Sequence, residues 1–238
     1  MKNFMGKDGF TWFVGVVEDR NDPQKLGRLR VRCLGYHTED LTKLPTSDLP
    51  WAHVMNPITS ATVSGVGQTP LGCVEGTWVV GWFTDGSDAQ QPMIMGTLPG
   101  VPKDLPVKDA GLGFQDYINA NYPKYKETDV NRLAVGDTDN PHSTLTLRKA
   151  DRDLAVGVAQ IDGIFTGVAQ IPNDLDITFW DEPATEYAAV YPRNQVYETE
   201  GGHIKEFDDT VGKERIHERH TSGSGYEIFP NGSKVTRV

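Results

Sequence analysis

The chain has 238 residues, 37% hydrophobic and 24% charged, a length that holds one large or two modest domains. Its net charge of −10 comes from 10 acidic against 8 basic side chains in residues 1–100 and 23 against 15 in the remainder, which leaves no basic cluster for a nucleic-acid backbone. Two cysteines without a CxxC pattern exclude a disulfide framework, and the lack of an 18-residue apolar run excludes a membrane-spanning helix and hence stable membrane insertion.

The first residues, Met1 to Asp8, contain no apolar stretch of the kind a secretory signal needs, so the chain is expected to be made and kept soluble in a cytoplasm. From there to residue 100, strand patterns alternate with turns. Trp12, Val14 and Val16 fall on one side of a strand and Phe13 and Val17 on the other, which predicts a strand covered on both faces. In the next strand Leu29, Val31 and Cys33 alternate with Arg28, Arg30 and Arg32, so the apolar set turns to the core and three arginines turn outward. Further strands are predicted over 51–58, 77–83 and 91–97. Five short strands with no amphipathic helix predict a small Greek-key barrel of the OB type over residues 1–100, with a small sandwich as the alternative. Cys33 and Cys73 read as small buried hydrophobes.

Residues 101–182 change character. A proline-rich stretch, 98–106, leads into polar, irregular sequence that reads as an extended linker or docking arm. One echo occurs, Gly157-Val158-Ala159-Gln160-Ile161 and Gly167-Val168-Ala169-Gln170-Ile171, but two copies are too few for a solenoid.

Residues 183–238 carry strand and turn signals with almost no core. Gly201-Gly202, Gly223, Gly225 and Asn231-Gly232 punctuate short polar runs, and the apolar side chains between them are few, chiefly Val196, Tyr197, Ile204, Phe207, Ile216, Tyr226, Ile228 and Phe229. Ordering a backbone costs about 1–2 kcal/mol per residue, more than such a segment recovers from its own apolar burial. The expectation is therefore either disorder or strands completed by symmetry-related copies, with closure into a ring or intertwined prism removing the exposed edges.

Two blocks resemble a known family. Trp12-Phe13-Val14-Gly15-Val16-Val17-Glu18-Asp19-Arg20, with Asp22-Pro23, Lys25-Leu26-Gly27-Arg28, Pro50-Trp51, Pro57-Ile58-Thr59-Ser60 and Gly72-Cys73-Val74-Glu75-Gly76-Thr77, resembles the N-terminal OB domain of the tail-associated lysozymes of T-even-like phages. Those proteins are the baseplate hub and cell-puncturing subunits of contractile tails. Glu198-Thr199-Glu200-Gly201-Gly202-His203-Ile204-Lys205-Glu206-Phe207-Asp208-Asp209-Thr210 is similar to the segment that leads into their trimeric β-helical needle, and a like motif occurs in the VgrG spikes of type VI secretion.

The resemblance implies an all-β protein: an OB fold at 1–100, a linker at 101–182 where the family carries its lysozyme domain, and a trimeric β-strand spike base at 183–238. It implies a homotrimer in the virion's tail baseplate, assembled in the host cytoplasm, with a tail hub protein above the OB collar and a separate spike-tip protein below. Gly201, Gly202, His203, Ile204, Glu206, Phe207, Asp208 and Asp209 are the residues it points to, as a turn and an interchain strand rather than as catalytic or metal-binding groups. The interval 101–182 is about half the length of a lysozyme domain and lacks that enzyme's Asp-Glu-Gly-Leu setting, so a structural rather than an enzymatic subunit is expected. The alternatives are a reduced muramidase and a secretion-system spike.

The chemistry of the residues agrees with that expectation. Glu127, Asp129, Asp137, Glu182 and Glu186 offer carboxylates for a glycosidase pair, but their polar, proline-broken surroundings give no burial to raise a pKa, so they read as solvated acids. His217 and His220 lie three apart, on opposite faces of a strand, with no third ligand at a metal-site spacing. His203 would make an ion or water site only where a threefold axis gathers three copies. No cofactor is implied.

Overall fold

The computed structural model describes residues 10–100, 128–136, 170–173, 178–181 and 185–237. The chain divides into two compact units, Met1–Glu127 and Thr128–Val238.

In the first unit, strands β1 (Trp12–Asp19), β2 (Leu29–Cys33), β3 (Trp51–Val54), β4 (Trp78–Phe83) and β5 (Pro92–Thr97) close into a barrel in the order β1-β2-β3-β5-β4. All neighbours run antiparallel except β3 and β5, which are parallel. This is the five-stranded OB barrel expected from the alternation. Its interior is Phe13, Val17, Leu29, Val31, Cys33, Ala52, Val79, Phe83 and Ile94, with the Phe13 and Phe83 rings 4.9 Å apart. Gly81 makes that packing possible. A β-carbon there would collide with the Met93 carbonyl and the Phe13 ring, at the point where β4 and β5 shift register. Cys33 is buried and Cys73 half-buried, and burial pushes the Cys33 thiol up to about 12 and the Cys73 thiol upward as well.

One expectation fails in β2. Arg32 does not face outward; it is wholly buried. The loop after β2 folds back over it, so its guanidinium donates to both oxygens of buried Glu18, at 2.5 and 3.1 Å, and to the carbonyls of Thr38 and Leu44 at 2.6 and 2.8 Å. Thr46 Oγ1 donates to the same Glu18 carboxylate. A side chain with five fixed donors satisfies a loop's carbonyls and an acid at once, which a strand periodicity cannot announce. The other two arginines are also engaged within the barrel. Arg28 pairs with Asp22 at 2.8 Å and holds that carboxyl well below the usual range, while Arg30 lies 4.5 Å over the Trp51 ring and 3.8 Å from Asp19. The three arginines are thus each tied to an acid of their own unit.

The second unit contains a short helix α1 (Arg132–Val135), a two-stranded ribbon β6 (Gln170–Asn173) with β7 (Thr178–Asp181), and five strands that pair in sequence order. These are β8 (Asn194–Glu198), β9 (Ile204–Asp208), β10 (Arg215–Arg219), β11 (Gly225–Ile228) and β12 (Lys234–Arg237). The strands predicted in the last zone are therefore present, and within one chain they form an antiparallel meander. Most of the 101–182 interval, including the first echo, lies outside the described residues. No helix among the described residues is long and apolar enough to cross a membrane.

Candidate functional site

The meander is built by four tight connections, each with a glycine at positive φ: Gly202, Gly212, Gly223 and Gly232. At the first, Gly202 takes φ 85° and donates to the Thr199 carbonyl at 2.8 Å, while Thr199 N–H donates to the His203 carbonyl at 3.0 Å. The others follow the same logic, with the Asn231 side chain accepting from Ser233 N–H in the last. Turns of this kind fix the register, and the register decides which side chains share a face.

Across the sheet, Val196, Glu206, His217, Glu227 and Val235 stand in one line. Beside it run Asn194, Asp208 and Arg215 on one side, and Glu198, Ile204, Arg219, Gly225 and Arg237 on the other. This is the buried face, and most of it is charged. Arg215 bridges two carboxylates, Glu206 at 2.8 Å and Glu227 at 3.1 Å. Glu206 also receives Asn194 Nδ2 at 2.9 Å and meets His217 Nδ1 at 2.6 Å; Glu227 also receives Thr185 Oγ1 at 2.7 Å and Arg237 at 3.3 Å. Burial pushes the Glu206 carboxyl up, but the His217 hydrogen bond, the Arg215 charge and the Asn194 amide outweigh it and hold the group below the ordinary carboxylate range.

Cover for this face comes from earlier in the same unit. The Tyr187 ring lies 5.1 Å from the Arg215 guanidinium and its hydroxyl donates to the Leu133 carbonyl, which also accepts from Asn194. Asn131 of the same short helical segment reaches Glu198 at 2.5 Å. A sheet with few apolar side chains is thereby closed by paired charges, each of which is costly alone and tolerable in company.

The opposite face carries Phe207, Ile216, Ile228, Tyr197 and Tyr226 among Lys205, Glu218 and Lys234. Lys205 pairs with Glu218 at 2.5 Å and lies over the Phe207 ring, and Lys234 lies 4.3 Å over Tyr226. Phe207 and Tyr197 remain substantially exposed.

The eight residues singled out in the sequence thus separate. Gly201 and Gly202 form the β8–β9 turn; Ile204, Glu206 and Asp208 are buried on the charged face; His203, Phe207 and Asp209 are exposed. His203 and His220 meet at one end of the sheet, with rings 4.6 Å apart. The Ser222 N–H donates to His220 Nδ1 at 3.1 Å, so in the neutral ring the proton sits on Nε2, and no group of three metal-ligating side chains occurs among the described residues. Of the five carboxylates weighed for glycosidase chemistry, Asp129 and Glu186 are exposed, and Glu127, Asp137 and Glu182 lie outside the described residues. Arg215, Glu227, Arg237 and His217 in its buried pairing are the members of the site that apolar periodicity misses. A signal for them existed: carboxylates at alternate positions 206 and 208 face basic side chains at 215, 217 and 219 across a six-residue connection.

The Gp5 N-terminal OB domain family matches residues 36–175. This chain belongs to that family. Its similarity to one curated relative extends over nearly the whole chain. It is 40% identical over 264 aligned positions to "Protein Gp5" of Vibrio phage KVP40, covering 99% of this chain and 59% of that protein. It is 35% identical over 214 positions to the "Pre-baseplate central spike protein Gp5" of Enterobacteria phage T4, covering 87% of this chain and 34% of that protein. The chain therefore spans less than two thirds of the length of either relative.

Proposed function

We propose that this chain is a structural hub and spike subunit of a contractile phage tail, incorporated into the virion baseplate and acting without catalysis of its own. One observation carries the reading: the similarity to a protein named for the central spike of the pre-baseplate extends over 87% of this chain. The working form is a homotrimer. Three barrels make a collar that meets a tail hub protein, and three meanders associate into the base of a spike, where a separate tip protein docks.

The meander suits mechanical work. Five strands paired edge to edge share load over their backbone hydrogen bonds, and the ionic face resists sliding because a register shift would strand buried charges. In the trimer, Gly201 and Gly202 set the first turn, Ile204, Glu206 and Asp208 keep the strand's inner face fixed, and His203, Phe207 and Asp209 are presented to the neighbouring chains. Loss of the Gly202 turn is expected to weaken trimer formation.

The test is location together with activity. An epitope-tagged copy supplied to the phage that encodes it should be labelled by immunogold at the axis of the baseplate, and the purified chain should leave a peptidoglycan suspension turbid. Label on the capsid or on no particle at all would refute the structural placement. Clearing of the suspension would favour a tail-associated muramidase instead.

A further inference from the structure

We infer that neighbouring copies of this chain also meet head to tail through their barrels, the loop between β3 and β4 of one copy seated on an aromatic outer face of the next. The inference rests on the homotrimer proposed above and adds a contact separate from the C-terminal strands.

Two surfaces of the barrel are left uncovered among the described residues. The first is the outer side of β1, β4 and β5. Because Phe13, Val79, Phe83 and Ile94 fill the interior, alternation turns Trp12, Trp78, Trp82 and Met93 outward. From Phe10 to Val17 and throughout β4 and β5 there is no Asp, Glu, Lys or Arg. Phe10 stacks on Trp12 at 5.4 Å, and Trp82 meets both rings edge-on at 5.9 and 6.3 Å. Phe10 and Trp12 stay about half exposed, whereas Trp82 is 7% exposed and its Nε1 donor finds no acceptor among the described residues. A buried indole N–H ordinarily has a partner, so this one calls for an acceptor brought by whatever covers the face.

The second surface is the loop itself. Residues 49–74 contain no Asp, Glu, Lys or Arg in a chain that is 24% charged. Ile58 is fully exposed, and Val63, Val66 and Leu71 are about two thirds exposed or more. The loop is nonetheless pinned. Val63 and Val66 form a bridge, Ser60 Oγ bonds both the N–H and the carbonyl of Gln68, and Gly27 lies tight against Pro70. Four aliphatic side chains are thus presented on a fixed frame instead of collapsing onto their own barrel.

Charge matching selects the partner. A partner with ordinary charged surface would leave ions unpaired against either patch, whereas these two patches suit each other. Aromatic rings and methionine, enriched at interface cores, stand on one side; aliphatic knobs and loop carbonyls able to accept from Trp82 stand on the other. A patch that meets a different patch on an identical neighbour makes a heterologous contact, and a threefold rotation closes it into a ring.

The experiment uses the full chain with a photoreactive phenylalanine in place of Ile58, assembled from an equal mixture of isotope-labelled and unlabelled protein, with its mass checked by light scattering before irradiation. The expected result is a trimer whose mixed-label cross-links join position 58 to peptides carrying Phe10 and Trp12 or Trp82. A trimer with cross-links only inside single chains, or to other surfaces, overturns this contact and leaves the homotrimer standing. A monomer without mixed-label products removes both.

Discussion

Arg215 holds two buried carboxylates apart and together: it donates to Glu206 and to Glu227, and the Tyr187 ring closes over it. Replacing it by alanine leaves both acids buried with fewer donors, and breaking such a pair costs about 3–5 kcal/mol. The urea transition of Arg215→Ala should move accordingly, and a loss well under 1 kcal/mol would mean that water, not protein, satisfies the network. Glu206 adds a pH signature. Its folded pKa lies below the unfolded value near 4.5, so its contribution is fully present above that pH and is lost as pH falls through the lowered folded value. The stability gap between the wild-type chain and Glu206→Gln should therefore be constant from neutral pH down to the unfolded value and shrink below it. A gap that instead opened on acidification would contradict the pairing. In the barrel, Arg32→Lys keeps the charge but loses the fork onto Glu18 and the bonds to the Thr38 and Leu44 carbonyls. A loss of about 2–3 kcal/mol is expected in thermal melts, the scale of charged hydrogen bonds left unmade.

At the level of strands and turns, what could be read beforehand depended on what closed each sheet. The barrel strands announced themselves because Leu29, Val31 and Cys33 alternate with polar residues and fill an apolar core, so period two and burial agree. Arg32 broke the pattern because the loop that follows β2 folds back and covers it, and periodicity within the strand carries no information about that. The meander was legible in its turns but not in its packing. Ile204, Glu206 and Asp208 alternate as cleanly as any core strand, yet two of the three are acids, and an apolar criterion sees a strand with no inside. The cations that match them are one hairpin away, and the covering Tyr187, Leu133 and Thr185 lie outside the predicted strands altogether. Gly202 is the element-level prediction. At φ 85° a valine would be held in a region that costs about 1–3 kcal/mol for a side-chain-bearing residue. Gly202→Val should lower the unfolding midpoint of the C-terminal unit, followed through Tyr187 and Tyr226 side-chain signals, without altering barrel signals from Phe13 and Phe83. Loss of both sets together would argue against an effect confined to the turn.

For the whole molecule, a barrel of known family and a sheet with a charged inside face place different demands on assembly. The barrel closes on itself, whereas among the described residues the meander ends in open edges at β8 and β12 and shows Phe207 and Tyr197 to solvent. Edges and aromatic surface of that kind are what association covers, and the central claim is that three copies cover them for one another. Size-exclusion chromatography of the full chain with light scattering tests this most directly. The account predicts a single species of three times the 26.3 kDa chain mass, stable on dilution. A species of one chain mass at the same concentrations would contradict it.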